Sequence, residues 1–487
     1  MRGYFTENKH QYYLYVVLLI ALMLRLFHLN YEGLWNDELF TADTANPRNT
    51  LGEIVRMVKL DIHPPLHNIL SSYWSKIFSY NDTSLRVFNV LLGVWGIVSI
   101  YHLAKLLFNK KVALYAILLA AVNYFLIRHS QEVRPYGLLF LLSNYSFYFF
   151  IKLIKGEFTT KNSISYVLIT TGLLYTHYFG MFVFAGQFAA SFVIMNWTGI
   201  KRQFWKYLIT FMGPLLLFLF WVPILKVHLE RKTKSWRDTP EIEMVYTYMQ
   251  EFFNDYIIAF VASTLILFSI FYLVLRNISK SKRIEKAIGD HSKILAVLVI
   301  WIAVYFLIPY IKSSLSTSMM VARYFTGMMA PILLILAFYL SRINSAGLRN
   351  GILAGVMGYS LLLLFLKESP YYTHTSSYRE IALEAKAINN DAPVLFLSNN
   401  GRYFEYYLRQ NDLRKIRANP GPFSKLVNRD TPDEYFVFLD LRPTPKRYRD
   451  SIPVMEGYAE SFTRTFANKH NIKTVKLIRY RKLKDSI

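Results

Sequence analysis

The sequence predicts a mainly α, polytopic membrane protein with about eleven transmembrane helices and a small C-terminal α/β domain outside the membrane. Three observations predict it. Hydrophobic residues make up 53% of the 487 residues and charged residues only 18%, whereas soluble chains average about 25% charged. The apolar residues come in long blocks, and mean hydropathy is +0.23. The blocks stop after Lys367, beyond which the chain reads as short strands and helices. Disorder, a fibrous repeat and an ordinary cytosolic enzyme are thereby excluded. The absence of cysteine excludes a disulfide scaffold, thiol catalysis and Cys-ligated zinc. The net charge of +24 is spread over loops and tail. That suits basic cytoplasmic loops near anionic headgroups better than it suits nucleic acid.

A span needs roughly 20 mostly apolar residues. The first is Tyr13–Leu29, too long for a signal h-region and followed by no small-residue cleavage site, so a retained helix is expected. The others are Val87–Phe108, Val112–Ile127, Tyr136–Ile154, Ile164–Tyr175, Phe179–Trp197, Phe204–Leu225, Tyr256–Leu275, Ile294–Ile311, Tyr324–Ser341 and Ile352–Leu366. Ile164–Tyr175 is the shortest. With the N-terminus inside, the cytoplasmic loops carry Lys110 and Lys111, Lys152, Lys155 and Lys161, Lys201, Arg202 and Lys206, Arg276 to Lys293, and Arg342 and Arg349. Every one is basic, as the positive-inside rule requires. One opposite loop, with Arg231, Lys232, Lys234 and Arg237, runs against that rule. An odd number of spans leaves the C-terminus outside.

The expected domains are a transmembrane unit over 1–368, with a large first external loop at 30–86, and an extracytoplasmic α/β domain over 369–487. In the latter, Pro393–Leu397, Tyr435–Leu439 and Thr474–Ile478 read as strands. Tyr378–Asn389 and Arg402–Arg409 read as helices, the first from apolar residues recurring near a helical period. No Gly-rich phosphate loop, internal repeat or low-complexity tract is evident.

The chemistry-bearing residues gather on one side of this topology. The first external loop carries Trp35-Asn36-Asp37-Glu38 and then Asp61-Ile62-His63-Pro64-Pro65-Leu66-His67. The second carries His129 to Tyr136, including Gln131, Glu132 and Arg134. Tyr175-Thr176-His177-Tyr178 follows the fifth span, and Arg323-Tyr324 opens the tenth. Ionisable groups at membrane depth are costly and tend to pair around a cavity. Each has a plainer use. Asp37 and Glu38 suit the N-terminus of a helix starting near Leu39. His63-Pro64-Pro65 suits a rigid turn before a helix. Glu132 and Arg134 could pair locally, His177 could be structural, and Arg323 could snorkel to headgroups. Their shared side and order set the group apart from these separate uses. Acids, imidazoles and arginines together are the parts of a transfer reaction on an anionic lipid.

From about Tyr13 to Leu366, the acidic pair, the His-Pro-Pro segment, Gln-Glu-x-Arg-x-Tyr, Thr-His-Tyr and the Arg-Tyr before an apolar span with Pro331 form a set. In that set the chain resembles the GT-C membrane glycosyltransferases, specifically the bacterial relatives of protein O-mannosyltransferases and of the lipid A aminoarabinose transferase. The resemblance implies a polyprenyl-phosphate sugar donor, a hydroxyl acceptor on a lipid, glycan or protein, and inverting transfer at the extracytoplasmic face of the cell inner membrane. It implies Asp37 as general base, with Glu38 orienting acceptor or metal and Glu132 as a further catalytic acid. A positioned carboxylate contributes typically about 10²–10⁴-fold.

A phosphate leaving group calls for cations, and arginine grips phosphate oxygens bidentately. Arg134 and Arg323, with Tyr324 and Lys59, are the expected phosphate binders, followed by Arg231 and Lys232. Family members differ in whether they need metal. If a divalent ion (Mn, Mg or Zn) is held, His63, His177 and Glu132 are the candidate ligands by donor type. No Asp-x-Asp motif stands in the external loops. A transporter or flippase of a polyprenyl-linked glycan is the alternative. It calls for polar groups near span centres and related halves, which the sequence lacks. An external binding protein would use the C-terminal domain, where no site is recognisable.

Overall fold

The computed structural model describes residues 2–194, 204–230, 239–279, 291–366, 370–371, 377–389, 391–397, 401–412, 415–416, 432–440, 454, 457–467 and 473–483. The chain forms two compact units. The first comprises Met1–Phe27, Asn49–Leu70 and Arg86–Pro370; the second comprises His28–Arg48, Ser71–Leu85 and Tyr371–Ile487. The first external loop is thus divided between them.

The first unit is helical. Its elements are α1 (Arg2–Leu26), α3 (Leu51–Val58), the start of α4 (Leu66–Ile77), most of α5 (Asp82–Leu107), α6 (Lys110–Val122), α7 (Tyr124–Gln131), α8 (Tyr136–Ile154), α9 (Thr160–Leu174) and α10 (Gly180–Ile194). They are followed by α11 (Phe204–Phe218), α12 (Val222–Glu230), α13 (Met244–Phe253), α14 (Tyr256–Ser279), α15 (Ser292–Leu315), a 3₁₀ segment (Ala322–Met328), α16 (Met329–Ser341) and α17 (Ala346–Leu366). Each of the eleven expected segments is helical over most of its described residues. Seven helices among the described residues are long and apolar enough to cross a membrane, or eight if the bent pair α6–α7 counts as one span. His10–Leu26 and Gly180–Ile194 are shorter apolar helices. Among the described residues, then, fewer than the expected eleven qualify by length and composition.

The expected span Val112–Ile127 is broken. α6 and α7 meet at Asn123 with a bend of 59°. Asn123 Oδ1 accepts from the Leu126 N–H (3.0 Å) and Nδ2 donates to the Phe252 carbonyl (2.9 Å). The break frees carbonyls at the end of α6, and in an apolar setting such groups must find donors. Arg25, fully buried at the end of α1, supplies them. Its guanidinium donates to the Ala120 and Ala121 carbonyls at 3.2 and 3.1 Å and to Ser130 Oγ at 3.2 Å. Gln131 returns the contact, donating to the Arg25 and Phe27 carbonyls. The break re-aims α7, and with it His129, Glu132 and Arg134.

The second unit holds α2 (Asn36–Thr44), residues 71–85, α18 (Tyr378–Ile388), α19 (Gly401–Gln410) and one mixed sheet. The strands are β1 (Val394–Leu397), β2 (Lys415–Ile416), β3 (Glu434–Asp440), β4 (Tyr458–Ala467) and β5 (Lys473–Lys482), in the order β2-β1-β3-β5-β4. β1 runs parallel to β2 and β3, and β5 is antiparallel to β3 and β4. Val394, Phe436, Phe438 and Ile478 are buried, as are Ile381 and Ala385 on α18. Helix and sheet thus share one core. Both expected helices and all three expected strands are present. β2 and β4 were not anticipated.

Candidate active site

Three connecting segments of the first unit meet. Pro64 and Pro65 end an irregular turn and lead into α4, whose first amide, Leu66 N–H, donates to the Tyr175 carbonyl at 2.9 Å. That bond ties the His63 turn to the turn between α9 and α10. There Thr176 Oγ1 donates back to the Gly172 carbonyl at 2.7 Å. Gly180 approaches α9 so closely that a Cβ would sit 2.7 Å from the Leu173 carbonyl oxygen. The third segment is the 3₁₀ stretch with Arg323 and Tyr324, anchored by Tyr305, whose hydroxyl donates to the Tyr324 carbonyl at 2.8 Å.

The rings of His63 and His177 lie 4.6 Å apart, and Tyr324 is 5.7 Å from the first and 4.8 Å from the second. Tyr136 flanks His177 and Tyr324 at 6.3 and 6.4 Å. His63 is 5% exposed and His177 1%. Burial holds both imidazoles below their ordinary range, and Arg134 and Arg323 push the same way: His63 lies well below 6.5 and His177 at about 3. Both rings are therefore neutral at pH 7, under a positive potential from two arginines distant in sequence. Nδ1 of His177 accepts from the Phe179 N–H at 3.1 Å, so the neutral ring carries its proton on Nε2. That Nε2 and Nδ1 of His63 are buried with no hydrogen-bond partner among the described residues. Such atoms cost about 1–3 kcal/mol each and call for an explanation such as a ligand.

Glu132 follows α7. Its carboxylate meets His129 Nδ1 at 3.1 Å and Arg128 Nε at 3.6 Å. Burial raises its pKa, but His129, Arg128 and Arg323 outweigh burial and hold it at about 2. Arg134, 4% exposed, is set by the turn in which its N–H donates to the Glu132 carbonyl at 2.8 Å. His67, in the same motif as His63, is a further buried imidazole that the sequence reading passed over. Burial lowers it to about 4 against a 2.9 Å hydrogen bond to Asn89, with Arg134 adding to the lowering. Its signal was the second His of the His63–His67 segment, four positions on.

The remaining expected residues divide. The Lys59 carbonyl is bonded by His228 (2.9 Å), whose other ring nitrogen meets Tyr178 Oη at 2.7 Å. Lys59 thus enters this region through its backbone. Asp37 and Glu38 lie on α2, in the second unit. Glu38 is buried, and its carboxylate accepts the Trp35 N–H at 3.2 Å, closing the helix N-terminus. Asp37, beside it, is half-buried. Arg231 and Lys232 lie outside the described residues. The expected metal set of His63, His177 and Glu132 is not assembled: among the described residues, no group of three or more His, Asp or Glu could hold an ion. The reason is electrostatic as well as geometric. Glu132 is committed to His129 and Arg128, and Arg134 and Arg323 already bring positive charge to the histidine pair. These residues do not fit a metal centre.

Residues 62–223 match the family described as dolichyl-phosphate-mannose-protein mannosyltransferase. That stretch contains His63, Glu132, Arg134 and His177, but neither α2 nor Arg323. An uncharacterised protein of Aquifex aeolicus is 31% identical over 142 residues, a match covering 27% of this chain and 28% of that relative's own length. The solved structure of ArnT from Cupriavidus metallidurans in the apo state superposes with a TM-score of 0.62 at 12% identity, over 97% of this chain and 98% of ArnT. ArnT bound to undecaprenyl phosphate gives 0.54 at 12% identity, over 96% and 97%. At such identity the likeness is one of fold, and it extends over both units. The expected resemblance is thus met by the family model over residues 62–223 and by the shared fold with ArnT.

Proposed function

We propose that this chain is an integral-membrane glycosyltransferase that moves a sugar from a polyprenyl-phosphate donor to a hydroxyl acceptor on a lipid, glycan or protein. The reaction takes place at the extracytoplasmic face of the inner membrane, with inversion. The observation that carries the reading is the buried His63–His177 pair, its rings 4.6 Å apart beside Tyr324, with the charges of Arg134 and Arg323 acting on both rings. A phosphate suits the donor chemistry of those groups. Its oxygens would accept from the guanidinium groups and from the His177 Nε2–H, which has no partner among the described residues. ArnT, which shares the fold, has been solved with undecaprenyl phosphate.

The chemistry accounts for the charge. The donor phosphodiester carries one negative charge. As the acceptor oxygen attacks the anomeric carbon, the bond from that carbon to the phosphate oxygen breaks. Its electron pair goes to the leaving polyprenyl phosphate, which gains a second negative charge. Groups that bind the doubly charged product better than the diester stabilise the transition state selectively. With its pKa near 3, His177 acts as a hydrogen-bond donor at pH 7 rather than as an acid. The acceptor proton goes to Asp37, an assignment that rests on the sequence motif alone. Glu132 is a weak base at a pKa of about 2, because an efficient base titrates near the working pH. In this reading it orients His129 and Arg128.

The test uses the purified chain in nanodiscs with a panel of polyprenyl-phosphate pentoses and hexoses and a hydroxyl acceptor. Release of polyprenyl phosphate together with a glycosylated acceptor is expected for at least one donor. Movement of intact donor between leaflets with no release would replace this reading with the flippase.

A further inference from the structure

The second unit grips α2 at both ends. On the entry side, Arg379 of α18 donates to the carbonyls of Asn30 (3.0 Å) and Tyr31 (2.9 Å). The hydroxyl of Tyr407 on α19 accepts the Leu34 N–H. Gly33 lies so close that an added Cβ would come within 2.7 Å of Arg379 Cβ and 3.0 Å of the Tyr407 hydroxyl. On the exit side, the Tyr80 hydroxyl donates to the Ala42 carbonyl at 2.8 Å, and the Tyr80 carbonyl accepts from Gln410 Nε2 at 2.6 Å. Asp82 joins these contacts. One oxygen accepts from Tyr406 (2.7 Å), the other from Tyr407 (2.8 Å), and Arg379 stands 3.9 Å away. Burial, with Asp82 adding to it, holds the Tyr406 phenol well above its ordinary range, so it stays a donor.

α2 has nine residues, too few for a stable isolated helix, which needs about 12–15. Its order comes from what holds it, and the holding groups come from residues 80–82 and from α18 and α19. Asp37 and Glu38 sit between the two gripped ends.

We infer that the C-terminal domain is a positioning device for the acid pair: Asp82, Arg379 and Tyr407 are positioning residues that fix α2 and so aim Asp37. The inference rests on the reading of Asp37 as base. It gives a role to a domain in which the sequence shows no site of its own, and it explains why two pieces of the first loop pack with that domain.

The experiment uses full-length protein in nanodiscs with Tyr407→Phe, Arg379→Ala and Arg379→Lys, and adds Gly33→Ala in case the others fold poorly. Three quantities are read per folded molecule: hydrogen exchange of residues 36–44, donor affinity, and kcat. Misplacing a catalytic group by about 1 Å can cost about 10²-fold. Tyr407→Phe and Arg379→Ala are therefore expected to lower kcat at least about 10-fold and to speed exchange in α2, with exchange in α8 and donor affinity unchanged. Arg379→Lys, which keeps a donor, should recover part of the loss. Unaltered exchange in α2 with kcat within about twofold of wild type overturns the inference. Normal turnover by Asp37→Asn while Tyr407→Phe still loosens α2 removes the base assignment and leaves the grip on α2 standing. An inactive Asp37→Asn beside a tight, fully active Tyr407→Phe does the reverse.

Discussion

Two buried polar clusters in this molecule have opposite character. In the second unit the carboxylate of Asp82 receives two phenolic hydrogen bonds and a nearby guanidinium, so each of its oxygens has a donor. In the first unit His63 and His177 are as deeply buried, yet each keeps a ring nitrogen with no partner among the described residues, and burial, with the arginines adding to it, holds both rings neutral. A saturated cluster lowers the energy of the folded chain. An unsaturated one raises it and is retained where a ligand completes it. The difference separates the part of the polar interior that builds the protein from the part that works.

Substitutions in the two clusters should therefore fail in different ways. The largest effect expected is that of Asp82→Ala, which leaves the Tyr406 and Tyr407 hydroxyls without their acceptor and takes away the carboxylate 3.9 Å from Arg379. Removing one partner of a buried charged cluster costs about 3–5 kcal/mol, which a thermal or denaturant midpoint would reveal. A midpoint equal to wild type would mean that the cluster holds nothing together. Next comes Asp37→Asn, which keeps size and shape. Transfer should fall at least about 10²-fold with donor binding intact. Loss of stability alone, with turnover per folded molecule preserved, would return Asp37 to the role of a helix-terminal acid.

His177→Phe inverts the pattern of Asp82. It removes a buried donor lacking a partner but also the acceptor of the Phe179 N–H, so the two changes offset and the folded chain should keep its stability to within about 1–2 kcal/mol. Polyprenyl phosphate binding should weaken about tenfold, for a hydrogen bond to a charged group of roughly 1.5 kcal/mol. A stability loss without a binding loss would make His177 a structural residue.

The smallest effect is on pH dependence. His63 and His177 have folded pKa values below the ordinary 6.5, His177 at about 3. The unfolded chain therefore binds more protons below pH 6.5. Stability from keeping these rings neutral is complete above that pH and declines as pH falls toward 3. The slope is at most about 1.4 kcal/mol per pH unit per histidine. Between pH 6.5 and 5, where carboxylates titrate little, the unfolding midpoint of wild type should drop more steeply than that of His177→Phe. Parallel curves would count against a buried neutral pair.

The sequence made the long helices of the first unit legible because each holds a long apolar run. It hid the break at Asn123, since the donor that rescues the freed carbonyls is Arg25, far away in the chain. It hid β4, whose residues Tyr458–Ala467 mix polar and apolar types, and β2, a strand of two residues. The division of the first loop depends on Asp82 meeting Tyr406 and Tyr407, a pairing that local pattern does not record. Within the candidate site, residue type and motif were enough to pick out His63, His177, Arg134, Arg323 and Tyr324. Glu132, expected among the metal ligands, is met instead by His129 and Arg128, which stand three and four positions earlier, within reach on one helical face.

The central claim is that Arg134 and Arg323, together with the histidine pair, hold the phosphate of a polyprenyl phosphate. It is tested most directly by titrating undecaprenyl phosphate into wild type, Arg134→Ala and Arg323→Ala in nanodiscs and reading affinity. A charge-assisted contact of roughly 1.5–3 kcal/mol predicts that each variant binds about 10- to 150-fold more weakly, while folding remains normal. Unchanged affinity in both variants would contradict the claim and move the donor phosphate elsewhere in the molecule.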